Sequence, residues 1–270
     1  MRWNGNKSKY IHHIAKYIPE FDRYIEPFVG SGALLLWLQP KSWIINDSNK
    51  DAINVWKSVR DSLKEMLLLI SKFGNQFIKL KKEDKIAICK SYTAKIPSIP
   101  YNVQRATLFI IMKFCAYMGN IVVKNKFYFN GFELSLHNAT LPYFTSLRYF
   151  KLLQKVSAFL NSGKGKIYNK DYRFVLSKAI RGDFVFLDPP YIEKHDYKFN
   201  YNIGESLNNS FLNELLEEVK KLDRKGVKWL MTQADTADVK SAFRGYKIIK
   251  FPVYRAYSNT RKYELIIKNY

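Results

Sequence analysis

Two adjacent prolines at the end of an apolar run constrain this chain more than any other feature. The run Phe184-Val185-Phe186-Leu187 reads as a buried strand. Pro189 and Pro190 cannot continue a helix or a central strand, so the chain must turn there with a fixed geometry. The tetrapeptide Asp188-Pro189-Pro190-Tyr191 therefore sets an acid, a rigid turn and an exposed aromatic ring at the C-terminal end of a strand. Such an edge is rich in hydrogen-bond acceptors and lies beside a stacking face. It suits a planar base that carries an amino group.

The rest of the chain predicts where that strand sits. Residues 23–29 read as a short strand, 33–38 as the start of a helix, and Trp43-Ile44-Ile45-Asn46 as a second buried strand closed by Asp47. A helix is expected from Asp51 to about Ile70. This β-α-β alternation opens a doubly wound sheet, so the fold class expected is α/β, a Rossmann-like sheet. Between about 71 and 160 the alternation stops and the pattern turns helical and basic. Ile96-Pro97-Ser98-Ile99-Pro100 marks a break, 105–118 an apolar helix, and 121–123 with 126–129 a hairpin around Lys124-Asn125 that ends at Asn130-Gly131. Alternation resumes after 165. A strand at 166–168, a helix at 172–180 and the strand 183–187 precede the proline turn. Leu207, Phe211, Leu212, Leu215, Leu216, Val219 and Leu222 fall on one helical face. Strands at 227–231, 246–251 and 263–267 complete the pattern. The expected organisation is a catalytic domain from 1–56 and 161–270, split by a helical insertion at 57–160 with a hairpin near 121–130.

Charge is distributed in the same way. The chain of 270 residues has a formal net charge of +22. Residues 57–170 carry 20 basic and 5 acidic groups, whereas 171–270 carry 18 and 13. A lysine-rich solvated surface is one reading. A polyanion-binding face is the other, because release of counterions from phosphates drives binding to such surfaces. The aromatic share of 16% favours nucleic acid, whose unpaired bases stack on rings.

A second motif precedes the proline turn by some 160 positions. In Glu26-Pro27-Phe28-Val29-Gly30-Ser31-Gly32 the backbone leaves a strand and enters a helix through glycines, which permit positive φ and close ligand approach. It lacks the third glycine of a pyrophosphate fingerprint. Glu26 and the turn suit a cationic amino-acid group, such as the methionine moiety of S-adenosylmethionine. Asp47 is placed to accept from both hydroxyls of a ribose, or else to cap the following helix. Asp171-Tyr172 could meet an adenine ring, or Asp171 could be another cap. At the proline turn, Asp188 and the Pro189 carbonyl can hold both N–H groups of an aromatic amine and favour a pyramidal nitrogen, with Tyr191 stacked on the base. Together the motifs point to S-adenosylmethionine-dependent methylation of a nucleobase amine. A base inside a duplex would have to be flipped out to reach such an edge.

With these residues in place, the chain resembles the Dam-type, D12-class DNA adenine N6-methyltransferases over nearly its whole length. Trp3-Asn4-Gly5-Asn6-Lys7 resembles the family's Trp-x-Gly-Gly-Lys, with Asn6 for the second glycine. Glu26 to Gly32 matches Glu-Pro-Phe-x-Gly-x-Gly, Asp47 the ribose-binding acid, and Asp188 to Tyr191 the catalytic tetrapeptide. Thr232-Gln233-Ala234-Asp235-Thr236 stands where the family has Ser-Asn-x-Asp-Thr, and Arg261 to Asn269 resembles its closing Arg-x-x-x-Glu-Leu strand. The resemblance implies that Trp3, Lys7, Asp47 and Asp188 line the cofactor pocket; joined with the residue readings above, the expected cofactor-binding set is Trp3, Lys7, Glu26, Phe28, Gly30, Gly32, Asp47, Asp171, Tyr172 and Asp188. It implies that Asp188, Pro189, Pro190 and Tyr191 carry catalysis, and that the insertion recognises the target. Readers of GATC in the family carry Asn-Gly-x-x-Arg near the hairpin. Here Gly119-Asn120-Ile121-Val122-Val123-Lys124 lacks that arginine, the usual bidentate partner of guanine, which points away from GATC. Asn120, Lys124, Asn125 and Lys126 are the candidate contacts to DNA, with a solvated hairpin tip as the alternative reading. Residues 195–201, aromatic and basic, are expected to cover the flipped base, or else to form a plain surface loop.

The expected activity is site-specific transfer of a methyl group from S-adenosylmethionine to adenine N6 in double-stranded DNA. Cytosine N4 methylation and a silent DNA-binding homologue are the alternatives. The four histidines match no metal-ligand spacing, and Cys89 and Cys115 form no metal-type pair, so a reducing compartment and no metal are expected. No apolar run reaches the roughly 20 residues of a membrane span, and Met1 to Gly5 lacks the apolar core of a secretory signal. An intracellular protein, cytoplasmic or nucleoid-associated, follows. Its partner is DNA, with room for a cognate restriction endonuclease that acts on the same site without touching it.

Overall fold

The computed structural model describes residues 6–116, 119, 121–123, 126–127, 129, 142–191, 209–254 and 261–270. These fall into two compact units, one of residue 6 with residues 49–163 and the other of 7–48 with the described residues after 163. In chain order the strands are β1 (Arg23–Glu26), β2 (Ser42–Asn46), β3 (Val122–Val123), β4 (Lys126–Phe127), β5 (Lys164–Tyr168), β6 (Asp183–Leu187), β7 (Lys228–Ala234), β8 (Lys247–Tyr254) and β9 (Arg261–Lys268). The helices are α1 (Ile11–Ala15), α2 (Ala33–Leu38), α3 (Lys50–Asp61), α4 (Leu63–Phe77), α5 (Lys82–Lys95), α6 (Val103–Cys115), α7 (Leu147–Ser162), α8 (Tyr172–Ser177), α9 (Asn209–Arg224) and α10 (Ala237–Ala242).

The larger unit is a Rossmann-like seven-stranded sheet in the order β5-β2-β1-β6-β7-β9-β8. β5, β2, β1, β6 and β7 run parallel, and β9 and β8 are antiparallel additions. Alternation along the strands sends Ile25, Ile44, Val185, Leu187, Trp229, Met231, Leu265 and Ile267 into one core. There they meet Val175 and Leu176 of α8 and Leu212, Leu215, Val219 and Leu222 of α9. At roughly 1.5–3 kcal/mol per fully buried large apolar side chain, this stripe is what holds α9 to the sheet. Tyr24 and Phe184, fully buried, are ring neighbours 6.1 Å apart, and both contact Phe21.

Several boundaries differ from the sequence expectation for identifiable reasons. β1 stops at Glu26 rather than at residue 29, because Pro27 offers no N–H to the ladder. The helix expected from 51 to about 70 is two helices. Ser62 leaves helical geometry (φ −135°, ψ 31°), its N–H closing α3 on the Ser58 carbonyl and its carbonyl accepting from Met66 N to open α4. Serine competes with helical bonding and favours helix ends. α6 starts two residues early, since the Asn102 side chain accepts from Arg105 N at 3.0 Å as a cap, and it ends at Cys115. α8 ends at Ser177, three residues short of the expectation. β7 runs three residues past the expected end through Thr232 and Gln233, which are fully buried although their polarity reads as the end of a strand. β8 continues through Pro252, which an edge strand tolerates. The hairpin pairs Val122 with Phe127 and Val123 with Lys126; its tip, with Asn130-Gly131 and Leu207, lies outside the described residues.

The unit of residues 49–163 is helical and carries 18 basic against 6 acidic side chains. Its core is aromatic, with Phe73, Phe77, Phe114, Phe144 and Tyr149 in mutual contact. Arg105 of α6 forms a buried bidentate pair with Asp51 of α3 (2.6 and 3.1 Å) and donates to the Pro97 and Ile99 carbonyls of the proline break. Cys89 and Cys115 are both buried thiols that no disulfide joins. No described helix is long and apolar enough to cross a membrane.

Candidate active site

Because β2, β1, β6 and β7 are parallel, the loops after them emerge at one edge of the sheet. The order reverses between β1 and β6, and the crevice outside the strand ends at such a point is where open α/β sheets bind ligands.

After β1 the chain turns through Gly30 (φ 44°) and Gly32 (φ 62°), both in the left-handed region that a side chain would strain. Val29 N donates to the Asn46 carbonyl (2.8 Å), which ties this turn to the end of β2. Gly30 N donates to Asp47 Oδ2 at 2.8 Å, fixing that carboxylate 17 residues away. Asn46 holds three loops together. Its Nδ2 donates to the Pro27 and Lys170 carbonyls, and its Oδ1 accepts from Lys170 N. Glu26 is 3% exposed and accepts from Tyr24 Oη at 3.0 Å. Burial, with the Asp188 and Asp47 carboxylates nearby, pushes its carboxyl well above the usual carboxylate range. Burial and Glu26 likewise raise Tyr24, so the phenol stays a donor.

At the end of β6, Asp188 is held from two sides. Lys7 Nζ, on a nearly buried side chain, lies 2.7 Å from Oδ1 and 3.0 Å from Oδ2. Thr232 Oγ1 donates to Oδ1 at 2.6 Å. The register explains the second contact. Leu187 pairs with Met231, so the next residue along each parallel strand brings Asp188 beside Thr232. Tyr191 is fixed in the same way. Its hydroxyl donates to Glu264 Oε2 at 2.8 Å, and Lys7 Nζ lies 4.6 Å from its ring centroid. Burial, Asp188 and Glu264 all push the phenol well above its ordinary value, so it remains protonated. Glu264 reaches this edge because β9 is antiparallel and pairs it with Ala234, two residues beyond Thr232.

Lys7, Glu26, Asp188 and Tyr191 are thus linked at one edge, with Gly30, Gly32 and Asp47 in the adjoining turn. The other predicted residues sit differently. Asp171 is exposed, caps α8 by accepting from Arg173 N, and pairs with Arg173 at 2.8 Å; that hydrogen bonding holds it below the usual carboxylate range. Tyr172 is buried in the core with its ring 5.1 Å from that of Phe28, and burial pushes its phenol up to about 12. Trp3, Asn120, Lys124, Asn125 and 195–201 lie outside the described residues, and of Lys126 only the backbone pairing is described. Thr232 and Glu264 were present in the sequence as parts of motifs, but not as candidate site residues. Tyr24 and Asn46 carried no signal, because Tyr24 reads as an apolar strand residue although its hydroxyl serves Glu26 on the same strand, and Asn46 acts through loops distant in the chain.

A Rossmann-like sheet whose parallel edge presents a glycine turn, two aligned acids and a fixed Asp-Pro-Pro-Tyr defines a methyltransferase. The chain belongs to the D12 class of N6 adenine-specific DNA methyltransferases, whose sequence profile matches residues 3–256. It is accordingly an enzyme that methylates adenine N6 in DNA, a reaction that needs a methyl donor. It is 26% identical to the type II methyltransferase M1.LlaDCHI of Lactococcus lactis subsp. cremoris, over 100% of this chain and 94% of that one. It is 27% identical to the type II methyltransferase M.MjaIII of Methanocaldococcus jannaschii, over 100% and 98%. It is 24% identical to the DNA N-6-adenine-methyltransferase of Escherichia phage P1, over 92% of this chain but 31% of that longer protein.

Proposed function

We propose that this enzyme takes its methyl group from S-adenosylmethionine and delivers it to an adenine flipped out of double-stranded DNA at a fixed short site. The observation that carries the reading is the fixed Asp188 carboxylate, clamped by Lys7 and Thr232 beside a Tyr191 ring locked by Glu264. S-adenosylmethionine supplies an electrophilic methyl carbon when bound. Asp47, pinned by Gly30, is placed for its ribose, and the left-handed glycine turn admits its amino-acid portion to the backbone. The buried Glu26 can give up its proton and face a cationic amino group, which relieves the cost of burying a carboxylate.

The residues on the substrate side have distinct tasks. Asp188 and the Pro189 carbonyl accept the two N–H groups of the adenine amine and turn its lone pair out of the ring plane. Lys7 and Thr232 prevent the carboxylate from rotating away, so little reorganisation is needed in the transition state. Tyr191 stacks on the base and stays in place because its hydroxyl is anchored. The charge of residues 49–163 supports a second role, DNA binding and target reading by that unit, with Lys126 and its hairpin among the contacts. The type II names of two relatives support a place beside a restriction endonuclease that shares the site.

The test is transfer of labelled methyl from S-adenosylmethionine to unmethylated duplex DNA, followed by nucleoside analysis and mapping of modified positions. N6-methyladenine at one short motif, lost in Asp188→Ala with DNA binding kept, is the expected result. N4-methylcytosine, or undiminished transfer by Asp188→Ala, would overturn it.

A further inference from the structure

A second cluster of charge lies at the opposite end of the same sheet. Lys228 opens β7 and Lys268 closes β9, whereas Asp188 and Thr232 lie at the other ends of their strands. Lys228 and Thr232 are four residues apart on β7, or about 13 Å of strand at roughly 3.3 Å per residue. Lys247 pairs directly with Lys268 across β8 and β9, and Leu230 pairs with Lys268 across β7 and β9. Lys228 is two residues before Leu230, so all three lysines share one face of the sheet. They line a cleft of about 610 Å³ together with Gly226, Tyr246 and Tyr270.

This arrangement is costly as it stands. Like charges directly opposite on an antiparallel pair repel. Lys268 is only 7% exposed, and burial together with the charge of Lys247 holds it below its ordinary value. Its ammonium lies 4.0 Å from the Tyr270 ring centroid and 5.4 Å from that of Tyr17, a partial compensation. Among the described residues no carboxylate forms an ion pair with any of the three. Asp223, the one acidic side chain among the described residues lining the cleft, is already engaged, accepting from Trp229 Nε1, Asn269 Nδ2 and Tyr246 Oη. Those bonds also stiffen the wall. Asn269 is further tied to Trp229 N and the Val227 carbonyl.

We propose that this cleft binds a phosphate-bearing anion, with Lys228, Lys247 and Lys268 as its ligands. The anion is either a free polyphosphate chain or the backbone phosphates of DNA, and it acts apart from the catalytic edge. Bound there, it converts a mutual repulsion of three ammoniums into charge-assisted hydrogen bonds.

Two arms of one experiment separate the sources. Thermal unfolding of the full chain is followed with sodium tripolyphosphate against sodium chloride of equal ionic strength, and DNA affinity is measured against salt. The variants are Lys247→Gln, at an exposed position, and Lys268→Met, which keeps the stem over the tyrosine rings. For a polyphosphate ligand, tripolyphosphate raises the wild-type midpoint saturably and the variants lose that rise, with unchanged methyl transfer. For DNA phosphates, the variants lower the slope of log affinity on log salt by about 0.9 per contact removed. Wild type and variants alike in both arms would overturn the proposal, as would a tripolyphosphate shift that persists in the variants with equal salt slopes.

Discussion

Lys7 Nζ stands 2.7 Å from Asp188 Oδ1, although 181 positions separate the two residues in the chain. The contact joins the short turn at Lys7–Lys9 to the end of the central strand of the seven-stranded sheet. With the Thr232 hydroxyl on the same oxygen, it leaves the carboxylate one orientation. A clamped acceptor is what a weakly nucleophilic aromatic amine requires, since alignment has to precede attack.

Asp188→Asn should retain the fold and lose transfer. Removing a preorganised group of this kind costs about 10²–10³-fold in kcat. Single-turnover methylation of a saturating duplex measures it, with DNA affinity read in parallel and expected to change little.

Thr232→Val removes one hydroxyl with almost no change of volume. A hydrogen bond to a charged group is worth about 1.5–3 kcal/mol, or roughly a 10- to 100-fold loss. The loss should fall on kcat and leave KM for DNA unchanged, and Thr232→Ser should restore most of it. A larger KM with kcat intact would show that Thr232 touches substrate rather than positioning Asp188.

Tyr191 separates ring from hydroxyl. Tyr191→Phe keeps the stacking face but withdraws a donor from Glu264, which is 8% exposed, at a cost in stability of about 1–3 kcal/mol. Tyr191→Ala also loses the stack, worth about 1–3 kcal/mol per base, and should weaken binding of a duplex with an abasic site opposite the target adenine. Calorimetry and fluorescence titration distinguish the two effects.

Glu26 gives a dependence on pH. Its carboxyl is raised by burial, so its contribution to stability is full below the ordinary carboxylate value, near 4.3, and is lost as pH rises through the raised folded value. Glu26→Gln retains an acceptor for Tyr24 and cannot ionise. The variant should match wild type near pH 4 and become progressively more stable than wild type as pH rises, while its KM for S-adenosylmethionine increases. A stability difference independent of pH would contradict the assignment.

In the basic unit, the Asp51–Arg105 pair is the electrostatic tie between α3 and α6, with side chains 11% and 6% exposed. Asp51→Ala strands a buried guanidinium and should cost about 3–5 kcal/mol in denaturant unfolding. The double variant Asp51→Leu/Arg105→Met should recover much of that loss, because two apolar groups leave no charge uncompensated.

Local chemistry made part of this protein legible in its sequence. α2 begins at Ala33 where the sequence predicts a helix to start, although it ends at Leu38 after only six residues, and β6 spans Asp183–Leu187 as apolar periodicity and the proline pair dictate. Each such signal is written within a few positions, so a single sequence carries it. The break at Ser62, the Asn102 cap and the continuation of β7 through Thr232 and Gln233 were obscured, because polar residues there satisfy helix ends or buried contacts rather than mark loops. Tertiary structure alone decided the rest. The pairing of β6 with β7 brings Thr232 to Asp188, β9 running antiparallel brings Glu264 to Tyr191, and the pairing of β8 with β9 sets Lys247 against Lys268. These contacts depend on strand register, which is set by how whole strands bury their faces and is written at no single position.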